Sequence, residues 1–196
     1  MARRHDRSDR LEEQVLYRAD ELDEVLARMA REVQALVPDP ARLTVVGILR
    51  RGAPLADRLC AHLHEASRGA RIARLDLDIK RYGDDLTLLH PETRLRESAG
   101  QAPDLGGRTV LLVDDVLYEG HSLLRALRWL AERGAAEIRT AVLVDRRCAR
   151  LPLKADVAGV ILEVAPLQIV DVHVPPYEPQ FGIHIKRRER EHVQES

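Results

Sequence analysis

Leu22, Val25, Leu26, Met29, Val33 and Leu36 fall three or four residues apart, the interval that lines apolar side chains along one face of a helix. The spacing predicts a helix with Asp20 as its N-cap, stopped by Pro38 and Pro40, which cannot continue the hydrogen-bond ladder. A short apolar group, Val15, Leu16 and Tyr17, precedes it. Residues 43 to 48 form a largely apolar run that suits a buried strand, and beyond Arg50-Arg51-Gly52 a second helix opens at Pro54 with Leu55, Leu59 and Leu63 on one side. Leu75, Leu77 and Ile79 then alternate with Asp76, Asp78 and Lys80, the period of two of a strand with one wet face.

The strand, turn, helix sequence recurs. Residues 110 to 113 are apolar, residues 114 to 122 are a polar turn, and Leu123, Leu127 and Leu130 mark a helix that Gly134 can end. Strands follow at 138 to 144 and 157 to 164, with weaker ones at 169 to 174 and 181 to 185. Residues 86 to 107, with Pro91, Gly100, Pro103, Gly106 and Gly107, read as a flap or short hairpin. The alternation predicts an α/β fold with right-handed crossovers and a parallel sheet. Ligands of such sheets bind beyond the carboxyl ends of the strands, where the turns at 49 to 52 and 114 to 122 must lie.

Composition narrows the picture. A chain of 196 residues that is 45% hydrophobic can bury one core, so one domain is expected over residues 13 to 185, between charged tails at 1 to 12 and 186 to 196. With 3% aromatic residues, that core must be Leu, Val, Ile and Ala. The 31 basic and 32 acidic side chains leave a net charge of −1, which gives no global attraction to nucleic acid or anionic lipid, so any anion site is local. Cys60 and Cys148 show no pairing pattern, the N-terminus has no signal-peptide pattern, and no apolar run approaches a membrane span. A cytoplasmic location is expected.

Asp114 and Asp115 close an apolar strand, and Gly120 leads into a helix whose free first-turn amides and positive dipole end attract phosphate. Carboxylates there can accept hydrogen bonds from both hydroxyls of a ribose while the helix end takes its phosphate. The same residues could equally serve only as a cap and a tight turn.

The run Val113-Asp114-Asp115-Val116-Leu117-Tyr118-Glu119-Gly120 resembles the phosphoribosyl-diphosphate signature of type I phosphoribosyltransferases. The resemblance is strongest to the pyrimidine operon attenuation regulator and uracil phosphoribosyltransferase family. It runs in order through Gly47-Ile48-Leu49-Arg50-Arg51-Gly52, Leu75-Asp76-Leu77-Asp78-Ile79, Tyr82-Gly83-Asp84-Asp85-Leu86 and Leu143-Val144-Asp145-Arg146-Arg147, then Leu151-Pro152. It implies a parallel-sheet fold with helices on both faces and a small hood built from the flap and the C-terminal part.

The resemblance also implies roles. Leu49, Arg50, Arg51 and Gly52 would hold pyrophosphate, and Asp114, Asp115, Val116, Leu117, Tyr118, Glu119, Gly120, His121 and Ser122 would hold the ribose phosphate. Asp114 and Asp115 would position the sugar in catalysis, Arg51 would assist the leaving group, and Asp145, Arg146 and Arg147 would lie at the nucleobase pocket. Mg²⁺ would arrive on the diphosphate, with no residue assigned as its ligand. The implied partners are phosphoribosyl diphosphate, a nucleobase and further copies of the chain, in a homodimer or higher homo-oligomer.

Two positions depart from the pattern. Glu119 stands where the family carries a hydroxyl, although Ser122 keeps one. Tyr118 stands where purine-specific relatives place a carboxylate proposed to act as base, and a phenol is a poor proton acceptor at neutral pH. Uracil-like transfer is therefore favoured over purine transfer. The alternatives are an inactive scaffold, or a nucleotide-sensing regulator that contacts RNA through Arg3, Arg4, Arg146, Arg147, Arg187 and Arg188. Near-neutral charge and a single Phe argue against RNA.

Overall fold

A computed structural model describes residues 12–67, 69–79, 93–96, 105–165 and 168–187. The chain opens with strand β1 (Glu12–Tyr17) and helix α1 (Ala19–Leu36). The N-cap of α1 is Arg18, two residues before the expected Asp20. Its backbone N–H donates to the Glu21 carboxylate at 2.8 Å, so an acid in the first turn meets the helix start from inside.

Six strands form the main sheet in the order β4-β3-β2-β5-β6-β7. These are β2 (Leu43–Ile48), β3 (Ala73–Ile79), β4 (Thr93–Arg96), β5 (Thr109–Leu117), β6 (Glu137–Asp145) and β7 (Val157–Ile161). Five of them run parallel, and β4 pairs antiparallel with β3, which places a hairpin arm inside the expected flap segment. The remainder of that segment up to residue 104 lies outside the described residues.

The centre of the sheet, β2, β5 and β6, is buried on both faces because those strands are apolar at successive positions. Val45, Leu111 and Leu143 pack with α1 and with α2 (Gly52–Ala66) on one face. Val46, Leu112 and Val142 pack with α3 (His121–Ala131) on the other. Adjacent residues thus serve opposite layers, and the crossover helices hold β2, β5 and β6 side by side.

Two expectations need correction. Asp114 and Asp115 do not end the strand: β5 continues to Leu117, with Asp114 opposite Val142 and Val116 opposite Val144. The neighbouring apolar strand β6 extends this far and supplies the pairing that the carboxylates themselves do not advertise. The last two strands, β8 (Gln168–His173) and β9 (Gly182–Arg187), do not extend the parallel sheet either. Residues 174–181 are too short a connection for a crossover helix, so β8 and β9 pair antiparallel, and β1 joins on the far side in the order β1-β9-β8. This small sheet is the hood. It includes Glu12 at one end and Lys186 and Arg187 at the other, residues the sequence reading had assigned to the tails. Among the described residues, no helix is long and apolar enough to cross a membrane.

Candidate active site

The carboxyl ends of β2, β5 and β6 lie side by side, and the turns after them meet. The first turn is locked to the second by the absence of a side chain. A Cβ on Gly52 would lie 2.7 Å from the Val113 carbonyl oxygen and 3.3 Å from Asp114 Oδ1, so only glycine lets α2 begin against the end of β5. Leu49 N–H donates to the Leu77 carbonyl at 2.9 Å, and the Leu49–Arg50 peptide is cis. Arg50 places its guanidinium 5.5 Å from the centre of the Tyr177 ring.

Arg51 is the most engaged side chain here. Its Nε donates to Glu178 Oε1 at 2.9 Å, its Nη2 reaches the same oxygen, and its Nη1 is 3.3 Å from Asp171 and 4.0 Å from Asp115. Burial pulls the arginine pKa down, but the Glu178 hydrogen bond and the charges of Asp171, Glu178 and Asp115 outweigh it and raise it, fixing the cation. Glu178 is itself anchored, accepting the Val174 N–H at 2.8 Å.

In the second turn, Asp114 is buried, and its Oδ1 accepts the Asp115 N–H at 2.9 Å. Gly120 caps α3 in the left-handed region at φ 90°, and its carbonyl accepts the first intrahelical bond from Leu124 at 2.9 Å. The amides of the first turn of α3, from His121 and Ser122 onward, therefore face out of the helix end beside Glu119. Glu119 does not pair with Arg50, a partner that its charge and place in the sequence allow. Its Oε1 is 3.2 Å from Arg150 Nε, which offsets its charge, and its Oε2 is 3.7 Å from the His121 ring.

The third group follows β6. Asp145 is buried and caps its own turn, accepting the Arg147 N–H at 2.8 Å, while Arg147 adopts φ 51°. Arg146 N–H donates to the Leu117 carbonyl at 3.1 Å, and its guanidinium lies 4.6 Å from the centre of the half-exposed Tyr118 ring. These contacts join the third group to the end of β5. All three groups named from the sequence therefore converge at one edge of the sheet. Sequence reasoning missed Asp171, Tyr177 and Glu178, which come from the hood; the Pro175-Pro176-Tyr177-Glu178 run carries no periodic or motif signal that could have placed them.

Residues 18–177 match the family described as the phosphoribosyl transferase domain. The chain belongs to the phosphoribosyltransferase family. This phosphoribosyltransferase is 40% identical over 156 residues to the bifunctional protein PyrR of Deinococcus radiodurans, covering 79% of this chain and 84% of that one. It is 41% identical over 150 residues to the protein of the same name from Chloroflexus aurantiacus, covering 76% and 80%. The family resemblance read from the sequence is borne out. Its fold also matches a crystal structure of the hypoxanthine phosphoribosyltransferase of Trypanosoma cruzi, with a TM-score of 0.70, 18% identity, and coverage of 90% of this chain and 97% of that one. At that identity the likeness establishes the phosphoribosyltransferase's α/β fold alone.

Proposed function

We propose that this chain binds phosphoribosyl diphosphate and transfers its phosphoribosyl group to a uracil-like nucleobase. The observation that carries the reading is the meeting of Arg51, the Asp114-Asp115 pair and the amide-rich start of α3 at the carboxyl ends of adjacent parallel strands. Arg51 matches a diphosphate, the carboxylates match ribose hydroxyls, and the helix start matches the 5-phosphate.

In this reading a base nitrogen bonds to the anomeric carbon as the bond to pyrophosphate breaks, through an oxocarbenium-like state, and the proton of that nitrogen is released to solvent. Asp114 and Asp115 hold the sugar, and Arg51 neutralises charge that develops on the leaving oxygen. Mg²⁺ would enter on the diphosphate and help neutralise it. The oxygen-only carboxylate of Asp115 is a donor of the kind such an ion accepts, and fits that role. The base would sit at the edge formed by Asp145, Arg146 and Arg147. Tyr118, in place of a carboxylate, supports a pyrimidine rather than a purine there.

We infer a cytoplasmic protein working as a homodimer or higher homo-oligomer, on the family resemblance. RNA contact is the second reading, and the two of its candidate arginines at this site, Arg146 and Arg147, are engaged by Tyr118 and Asp145. Calorimetric titration of phosphoribosyl diphosphate with Mg²⁺ into the wild type and Asp115→Ala tests the proposal, followed by a screen of nucleobases for turnover. Binding lost in Asp115→Ala and uridylate formed by the wild type are expected. A wild type that does not bind phosphoribosyl diphosphate rejects transfer.

A further inference from the structure

The hood carries a polar cluster that phosphoribosyl transfer does not use. Strand register sets Glu13 of β1 opposite Lys186 of β9, and Asp171 of β8 opposite His184 of β9. Residues two apart on a strand share a face, so Asp171 and His173 point the same way, as do His184 and Lys186. Gly182 stands opposite His173. A Cβ there would lie 2.9 Å from His184 Nε2, so the glycine leaves room for the His184 ring, which stacks on His173 with centroids 3.9 Å apart.

The donor atoms converge. His184 Nδ1 is 3.0 Å from Glu13 Oε1, His173 Nε2 is 3.8 Å from the same oxygen, and one ligand atom from each of the three residues lies within 4.8 Å of the others. Asp171 Oδ2 stands 3.1 Å from His173 Nε2. Ligand atoms bound at about 2.0–2.1 Å around a tetrahedral zinc are about 3.3 Å apart, which these spacings approach. His184 Nδ1 is buried and, despite its nearness to Glu13, makes no hydrogen bond among the described residues. A buried ring nitrogen without a hydrogen bond is costly, and a bound cation would resolve it.

We propose that the hood binds one divalent transition-metal ion of the zinc class through Glu13, His173 and His184. Two imidazoles with a carboxylate suit zinc, cobalt or nickel better than magnesium, which keeps to oxygen. Lys186 Nζ now lies 2.5 Å from Asp171 Oδ2 and 3.7 Å from Glu13 Oε1, and it turns to solvent when the ion replaces it between the carboxylates. Asp171 divides its two oxygens, Oδ2 toward the His173 ring at 3.1 Å and Oδ1 toward Arg51 at 3.3 Å. The ion therefore stands one carboxylate away from the first turn of the active site, but its binding does not depend on transfer.

The test is titration of the chelator-treated full chain with Co²⁺, read by visible absorption, and with Zn²⁺, read by calorimetry. One ion per chain is expected, with His173→Ala and His184→Ala each weakening affinity at least about tenfold. Glu13→Gln alters a side chain 41% exposed and should weaken binding without disturbing the fold, which circular dichroism checks. Lys186→Met should tighten binding by removing the competing ammonium, and Asp115→Ala should leave it unchanged. Absence of saturable binding in the wild type, binding abolished by millimolar Mg²⁺, or unchanged affinity in Glu13→Gln and both histidine variants overturns the proposal.

Discussion

Arg51 Nε donates to Glu178 Oε1 at 2.9 Å, joining residues 127 positions apart in the chain. The contact ties the start of α2 to the connection between β8 and β9, so the hood is a structural part of the first turn. Asp171 and Asp115 lie on the other side of the same guanidinium. On the proposed function, a diphosphate arriving here would meet an arginine already oriented by carboxylates, and would have to share it with them.

Replacing Arg51 therefore has two separable consequences. Arg51→Ala leaves Asp171 and Glu178 without their shared cation, which should lower stability by about 1–3 kcal/mol in urea denaturation. It should also abolish measurable binding of phosphoribosyl diphosphate. Adding Glu178→Gln removes one of the stranded charges, so the double variant should regain part of the stability and none of the binding. A double variant no more stable than Arg51→Ala would show that the two side chains are not coupled.

The same pair sets a pH dependence. Burial alone would raise the Glu178 pKa, but the Arg51 hydrogen bond, the Val174 N–H and the Arg51 charge together hold it below its ordinary value of 4.5. A carboxylate with a depressed folded pKa contributes stability that is fully present above its unfolded pKa and is lost as pH falls through the folded one. Thermal stability should thus fall on acidification from pH about 4.5 downward, and Glu178→Gln should flatten that limb while leaving neutral behaviour to the Arg51 contacts that remain. Melting curves of both proteins across that range measure it; parallel curves would exclude Glu178 as a contributor.

The main sheet was legible because its strands and helices each bury a full face, and Val45 with Val46, or Leu111 with Leu112, leave an unmistakable apolar run. The two turns were legible because charge interrupts those runs at Arg50-Arg51 and at Asp114-Asp115. The hood was not. β1 joins β9 through backbone pairing between opposite ends of the chain, and Glu178 reaches Arg51 from a proline-rich connection. Neither has a local period. The extension of β5 through Asp114 and Asp115 was hidden for a related reason: polar side chains resemble a loop until the partner strand that pairs with them is known.

Glu119 tests how the phosphate turn tolerates a carboxylate. Its ion pair with Arg150 offsets a charge that would otherwise repel a phosphate at the start of α3. Arg150→Ala should weaken affinity for phosphoribosyl diphosphate a few-fold by leaving Glu119 less compensated, and Glu119→Thr should strengthen it by supplying the hydroxyl of the family pattern. Calorimetry at low and high salt reads both, with the Arg150 effect shrinking as salt rises. Equal affinity in all three proteins would place Glu119 away from the phosphate.

Tyr118 offers a test of what kind of base the proposed site serves. Its ring lies against the Arg146 guanidinium at 4.6 Å and is half exposed, so it offers a flat surface at the edge where the base is proposed to bind. If that surface is its role, Tyr118→Phe keeps the ring and the arginine contact, and kcat with uracil should stay within about twofold, since such an exposed contact is worth only about 0.5–1 kcal/mol. Tyr118→Ala should raise KM for the base with a smaller change in kcat, because it removes a surface that contacts ground state and transition state alike. Tyr118→Asp would supply the carboxylate of the purine pattern, and gain of hypoxanthine turnover at the expense of uracil would identify this position as the selector. A large loss of kcat in Tyr118→Phe would instead mean that the hydroxyl takes part in proton transfer, and the surface role would fall.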